Sequence, residues 1–408
     1  MPNSTRPSPK RWKRSRRAWS CWARRISISD ARYVATPEAL AQVISAFRRE
    51  SPVAVDTEAA SFHRFVDRVY LVQLSTRRAT AILDPVAVTD LAPLGALLAD
   101  PGVEKIFHDA DYDLRTLDRD YGFHAVRLFD TRVAAQLAGE PAIGLAALLE
   151  KYLGLKLSKA HQKADWSQRP LTPGMLEYAA GDTAHLPALR DALEARLREL
   201  SRWEWATEEF TRLEGLRWTV PPDDGAAYLR IKGAKALRPR QLAVLRELSA
   251  WREGIARRED KAQFRIIGNE SLLGVSRALP RSVDELARVK DLPASLAKRH
   301  GPALLEAVER ALLVPENDLP RVVRPPRPPH DPSYDVRQEK LKAARNARAA
   351  ELGLDPGVLL GRVALDAVAR AHPTDRAGLA RIGELRRWQL SVVGDALLQA
   401  TAPTAPTA

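Results

Sequence analysis

Apolar residues recur in two rhythms along this chain of 408 residues. In its first quarter they come as short runs rich in β-branched side chains, which the spacing predicts as strands near Pro52–Thr57, Arg68–Ser75, Ala79–Leu83 and Lys105–Phe107. Three consecutive strands on short connections predict antiparallel neighbours, with the following helices packed on a mixed sheet and the acids of the strand ends gathered at one sheet edge. From residue 171 onward the rhythm is helical. Pro173 suits a first helical turn, and residues 241–258 place apolar side chains at helical spacing, followed by Ile266–Leu273 and two further short helices. Residues 320–332, rich in proline and arginine, read as an extended linker. Beyond them 338–400 is again helical and has the length of a second copy of the preceding module. The closing Thr-Ala-Pro repeat, 401–408, is expected to be disordered.

Acidic side chains interrupt these patterns at three places. In Pro52-Val-Ala-Val-Asp-Thr-Glu-Ala59 a strand puts Asp56 and Glu58 on one face. Two carboxylates side by side repel unless a cation neutralises them, although a strand end running into a solvated acidic turn would look the same. In Lys105-Ile-Phe-His-Asp-Ala-Asp-Tyr-Asp-Leu-Arg-Thr-Leu117 a strand breaks into a helix whose first turn carries three aspartates. Asp109 or Asp111 could serve as its cap, which leaves Asp113 as the candidate for chemistry. In Leu171-Thr-Pro-Gly-Met-Leu-Glu-Tyr-Ala-Ala-Gly-Asp-Thr-Ala-His-Leu-Pro187, Tyr178 and Asp182 stand at i and i+4 on one helix face. Each segment alone has a structural explanation. Their coincidence in type, order and separation points to a metal-dependent nuclease.

The three segments resemble the motifs of 3′-5′ exonucleases with four metal-binding acids, of the subtype that pairs them with tyrosine, and are most similar to the ribonuclease D family. Arg68-Val-Tyr-Leu-Val-Gln-Leu-Ser75 and Asp165-Trp-Ser-Gln-Arg-Pro-Leu-Thr172 extend the similarity, which covers roughly residues 30–312. Where the histidine subtype places its base, this chain has Glu177. The resemblance implies an α/β ribonuclease H-like exonuclease domain followed by one or two all-α HRDC-like domains. It implies two divalent cations, Mg²⁺ or Mn²⁺, about 4 Å apart. Asp56 would bridge them, Glu58 and Asp182 would hold the ion that activates water, Asp113 would support the second, and Tyr178 would orient the water. Phe62 is the candidate contact for the terminal nucleotide, since the family's bulky residue after the first motif is here Ala59-Ala60. His108 and His185, near the motif acids, are assigned structural roles. Gly181 is tolerated in its helix at a cost of up to about 1 kcal/mol.

The resulting division is a basic tail at 1–27, expected to be disordered, an exonuclease domain at 28–205, an HRDC-like domain at 223–314, a linker at 315–333, a second HRDC-like domain at 334–400 and the tail at 401–408.

Charge refines this division. The formal net charge is +13, but residues 1–25 hold nine Lys or Arg and no acid. Residues 30–200 are net −4 and residues 225–315 net +8, so phosphate contacts belong to the first helical module, with Lys232, Lys235, Arg238 and Arg240 as candidates. Trp12, Trp19 and Trp22 among the N-terminal arginines could stack on bases, but the similarity begins only near Ile28, which favours an upstream start codon or a disordered extension. That stretch lacks the apolar core of a signal peptide. One cysteine and no long apolar segment fit a reducing compartment, the cytoplasm, with no membrane association. A Walker phosphate loop, an H-E-x-x-H helix and a G-x-S-x-G elbow are absent from the sequence. The expected activity is 3′-5′ exoribonucleolytic release of nucleoside 5′-monophosphates by a monomer. Its expected substrate is RNA with a free 3′ end, such as transfer RNA precursors. A DNA 3′-5′ exonuclease and a non-catalytic RNA-binding protein are the alternatives.

Overall fold

The computed structural model describes residues 31–158, 160–220, 225–322 and 331–401. The N-terminal tail, residues 323–330 of the linker and the final Thr-Ala-Pro repeat lie outside the described residues. The chain forms two compact units, one of residues 31–58, 69–218 and 331–401, the other of 59–68 and 219–322.

The first unit is built on a six-stranded sheet in the order β1-β4-β3-β2-β5-β6. Its strands are β1 (Arg32–Val34), β2 (Val53–Ala59), β3 (Val69–Ser75), β4 (Thr80–Leu83), β5 (Lys105–Phe107) and β6 (Leu128–Asp130). β3 and β4 pair antiparallel, while β1 pairs parallel with β4, and β5 parallel with both β2 and β6. The sheet is therefore mixed, as the strand spacing predicts. Every residue of β3 is buried, because helices cover both faces of the sheet and no polar alternation is needed. β2 lies inside the sheet between β3 and β5, which corrects the expectation of acids at a sheet edge. They sit instead near the end of an interior strand.

Among the described residues eight helices complete the exonuclease region: α1 (Pro37–Phe47), α2 (Ala92–Leu98), α3 (Asp111–Tyr121), α4 (Thr131–Leu137), α5 (Leu145–Leu153), α6 (Pro173–Ala184), α7 (Leu186–Glu199) and α8 (Trp203–Glu214). α1 starts where the Thr36 hydroxyl accepts a hydrogen bond from the Ala39 N–H, with Pro37 at its first position. α6 follows the same rule, with Thr172 accepting from the Met175 N–H and Pro173 next in line.

The second unit contains α9 (Pro239–Glu259), α10 (Gln263–Ile266), α11 (Asn269–Ala278), α12 (Val283–Ala287) and α13 (Ala294–Leu312), wrapped around the core of Leu242, Leu245, Leu248, Leu272 and Leu304. Residues 331–401 repeat this plan as α14 (Pro332–Leu352), α15 (Pro356–Leu359), α16 (Arg362–Ala371), α17 (Arg376–Ala380) and α18 (Arg387–Thr401). The helices of the two modules measure 21, 4, 10, 5 and 19 residues against 21, 4, 10, 5 and 15, so the second is a copy of the first. Unlike the first, it shares the exonuclease core. Ala349, Leu359 and Trp388 join the same buried cluster as Phe129 and Phe210, and the Trp388 ring stacks on Trp205 with centroids 5.0 Å apart.

Candidate active site

β2 spends its first three residues, Val53, Ala54 and Val55, on the buried core and then presents Asp56 and Glu58, both half-buried. α6 packs against β3 and β4, where the Ser75 and Thr183 hydroxyls lie 2.7 Å apart. This contact fixes the helix next to Asp182. It brings Asp56, Glu58 and Asp182 together, so that one carboxylate oxygen from each lies within 4.8 Å of the others. The three acids line a cavity of about 470 Å³ with Tyr178, His108 and Gln162 among its walls.

Burial and mutual repulsion decide the charge state of this cluster. Burial first, then the neighbouring Asp182, pushes the Asp56 carboxyl well above the usual range. Glu58 is raised to about 10 by burial, then by Asp56, Asp182 and Asp113. Asp182 is raised to about 7 by burial, partly offset by the hydrogen bond from Tyr178. Tyr178 itself is raised above its ordinary value by burial and by the same carboxylates. A phenol held this firmly protonated is a hydrogen-bond donor, not a base. Three carboxylates that cannot all ionise without a counter-charge are the donor set of a hard cation. Among the described residues this is the one group of three or more such side chains, and it contains no cysteine or histidine ligand that would favour zinc.

Asp113 stands apart from that triad. It is 5 % exposed, and its Oδ1 accepts from the Thr57 N–H at 3.1 Å and from the Thr57 hydroxyl. The residue between the two β2 acids thus holds the fourth acid to the strand. Burial and the Asp56 charge raise its carboxyl well above the ordinary value. Neither Asp109 nor Asp111 caps α3, contrary to the sequence expectation. Asp109 adopts a left-handed φ of 71°, and Asp130 at the end of β6 ties down the turn before α3 while capping α4. It accepts from the N–H groups of Asp109, Ala110, Arg132 and Val133 at 2.7–3.3 Å. Four donors sustain a carboxylate that is 1 % exposed. Its capping of α4 is local, but its hold on Asp109 and Ala110 joins residues 21 and 20 positions apart, which no local pattern signals.

The segment before α6 supports Tyr178. Trp166, 1 % exposed, lies against its ring with centroids 6.0 Å apart, and His161 meets it edge-on at 6.2 Å. Arg169 anchors the segment. Its Nε and Nη2 donate to the two oxygens of buried Asp84 at 2.6 and 2.7 Å, and Nη2 also reaches the Tyr70 carbonyl at 2.9 Å. His108 donates to or accepts from the Thr131 hydroxyl at 2.9 Å, and burial holds its imidazole neutral, near 4. It also lines the acid cavity. His185 joins α6 to α7 and is buried, its pKa lowered by that burial.

The remaining expected contacts fall in the second unit. Phe62 is half exposed, lies edge-on to Phe264 at 6.0 Å, and is not among the residues lining the acid cavity. Lys232 and Lys235 share the wall of a cavity of about 600 Å³ with Arg230 and Arg321. Arg238 precedes α9 and is exposed. Arg240 is a correction: its guanidinium donates to the carbonyls of Ala311, Leu312 and Val314 and to Glu316. It is engaged in closing the C-terminus of α13.

Comparison with known proteins agrees with this geometry. Residues 31–198 match the family model described as 3′-5′ exonuclease, and 241–308 and 336–401 each match the HRDC domain. Ribonuclease D of Pseudomonas paraeruginosa is 32 % identical over 377 residues, which is 92 % of this chain and 98 % of that protein. The chain belongs to the ribonuclease D family. The crystal structure of Escherichia coli RNase D, described as an exoribonuclease involved in structured RNA processing, superposes with a TM-score of 0.67 at 28 % identity, covering 91 % of this chain and 98 % of that one. The catalytic core of RRP6 from Trypanosoma brucei gives 0.62 at 28 % identity over 70 % of this chain and 81 % of that one. A 3′-5′ exonuclease domain of a metal-dependent family thus precedes two HRDC domains in this chain. Among the described residues no helix is long and apolar enough to cross a membrane.

Proposed function

We propose that this chain is a 3′-5′ exoribonuclease that releases nucleoside 5′-monophosphates, with Asp56, Glu58, Asp113 and Asp182 as its metal-binding acids and Tyr178 as its water-orienting partner. The observation that carries the assignment is the convergence of Asp56, Glu58 and Asp182 within 4.8 Å beside a protonated tyrosine. The donor set suits two Mg²⁺ or Mn²⁺ ions. When bound, such ions neutralise the scissile phosphate and lower the pKa of the attacking water.

The residues divide the remaining work. Glu58, Asp182 and Asp56, whose oxygens converge, would hold the cation that activates water. Asp113 keeps its orientation through Thr57 and would support the second cation. The Tyr178 hydroxyl, protonated throughout the physiological range, donates a hydrogen bond toward Asp182 and fixes the direction of approach of the nucleophile. Trp166 and the Arg169–Asp84 pair keep that phenol in place. Lys232, Lys235 and Arg238 of the first helical module supply cations for the RNA backbone. We assign Phe62 a contact with the RNA, through the ring face left exposed beside Phe264. Transfer RNA precursors and other small structured RNAs with free 3′ ends are the substrates, handled by a monomer in the cytoplasm.

The test is single-nucleotide-resolved digestion of a 5′-labelled RNA and its DNA counterpart with Mg²⁺, Mn²⁺ or EDTA, beside Asp182→Asn. A metal-dependent ladder shortening RNA from the 3′ end, absent in the variant, is the expected result. A ladder on DNA alone, or one that persists in Asp182→Asn, would overturn the assignment.

A further inference from the structure

Residues 59–68, which directly follow the β2 acids in sequence, fold with the first helical module. The Ala262 N–H donates to the His63 carbonyl at 3.2 Å, Arg265 Nε to the Phe62 carbonyl at 2.5 Å, and the Phe65 N–H to Asp260 Oδ1 at 3.2 Å. Between this segment and the module lies a cavity of about 280 Å³. Ser61, Phe65 and Asp67 form one wall, and Arg252, Phe264 and Asn269 the other. The volume falls just below the range of pockets for drug-sized ligands, about 300–1,000 Å³, and suits one planar ring system.

Arg252 is the unusual member. It is 6 % exposed, yet among the described residues it forms no ion pair. Its Nη1 donates to the Ile267 carbonyl at 3.3 Å and to Asn269 Oδ1 at 2.7 Å, while its Nε is buried without any hydrogen-bond partner. A buried guanidinium with unused donors is costly unless a further acceptor reaches it. The second copy of the module provides an internal comparison. There Arg345 donates to the Leu360 carbonyl at 3.2 Å, the counterpart of the Ile267 bond, and its Nε is satisfied by Asn346 Oδ1 at 3.0 Å. Aligned on the Gly268 and Gly361 that precede α11 and α16, the positions of Phe264 and Asn269 are held by Gly357 and Arg362. The scaffold bond is thus common to both modules, whereas the aromatic wall, the amide and the unsatisfied guanidinium belong to the first.

We propose that this cavity is a nucleobase pocket that takes a single unstacked base of the RNA, with guanine the best fit. The proposal rests on the RNA-exonuclease reading and adds a base preference to it. Guanidinium groups read the O6 and N7 acceptors of guanine, and aromatic rings such as Phe264, 54 % exposed, stack on bases. A neutral base also tolerates the Asp67 carboxylate in the wall, which would repel a phosphate, and guanine offers it N–H donors.

The experiment uses the full chain carrying Asp182→Asn, in EDTA, so that binding is read without cleavage. Short 5′-fluorescein oligoadenylate RNAs with one guanosine moved through successive positions are titrated by fluorescence anisotropy. At one position guanosine should tighten binding on the order of tenfold over adenosine. Arg252→Lys and Phe264→Ala should each abolish that gain while retaining the cooperative thermal unfolding of the parent. Should Arg252→Lys unfold, Phe264→Ala alone carries the test, since its side chain is exposed. Absence of a guanosine gain at every position, or its persistence in Phe264→Ala, overturns the proposal. Equal weakening of every RNA by Arg252→Lys overturns it too, by assigning the guanidinium to backbone phosphate. Failure of the exonuclease reading is separately visible, as wild-type protein that leaves a labelled RNA intact in Mg²⁺.

Discussion

Replacing Asp182 with asparagine should make the metal-free protein more stable while it destroys activity. The carboxylates of Asp56, Glu58 and Asp182 approach within 4.8 Å, a separation at which two full charges would repel by about 3.5 kcal/mol at an effective dielectric constant of roughly 20, so without a cation they do not all ionise together. Burial has already forced part of the cluster to remain protonated, with Glu58 at about 10 and Asp182 at about 7. At pH 8 the Asp182 charge is therefore largely present, buried and without a cation, and its removal should gain about 1–3 kcal/mol in EDTA, or about 2–4 °C in Tm per kcal/mol. The sign follows from linkage. A carboxyl whose folded pKa is raised favours the folded state below its unfolded pKa, near 4, and loses that contribution as pH climbs through the folded value. For Asp182 the loss runs from about 4 to 7 and for Glu58 onward to about 10. Wild-type protein in EDTA should thus become less stable as pH rises through this window, and the variant should fall less steeply. Saturating Mg²⁺ stabilises the folded state by mass action, and should do so more for wild type, reversing the order. Thermal unfolding followed by circular dichroism across pH, with and without Mg²⁺, reads all of these. A variant less stable than wild type in EDTA at pH 8, or one with an equal response to Mg²⁺, would refute the argument from a buried, uncompensated charge.

Three further outcomes follow from named contacts. Tyr178→Phe removes the donor hydroxyl and keeps the ring between Trp166 and His161, so kcat should fall about 10- to 100-fold, one lost transition-state hydrogen bond being worth a few kcal/mol at most; unchanged kcat would exclude a role for the phenol. Arg169→Ala leaves Asp84 buried without its cation, which should cost about 3 kcal/mol in urea unfolding, with a loss below about 1 kcal/mol contradicting its role as anchor. Trp388→Ala removes a stacked ring and the indole bond to Glu209 at 2.9 Å; it should destabilise the protein by about 3 kcal/mol and expose residues 331–401 to limited proteolysis, whereas an unaltered cleavage pattern would argue that this helical copy is held by other contacts.

The sequence by itself determined the chemistry and its local placement. Alternation within a strand put Asp56 and Glu58 two residues apart, and the helical repeat put Tyr178 one turn before Asp182. Thr172-Pro173 set the start of that helix, and the tandem helical modules followed from periodicity. Each of these depends on neighbours within a few residues, which is the range that side-chain alternation, capping and helical spacing report. Tertiary structure alone decided how the pieces met. β2 became an interior strand because β5 pairs on its far side, Asp130 reached across to hold the turn before α3, and Thr57 took hold of Asp113. Arg240, read as a phosphate contact, was drawn to the end of α13, and the segment after Glu58 joined the helical module. Those outcomes pair residues far apart in the chain, where a buried donor must find whichever acceptor the packing brings to it, and no local pattern names that partner.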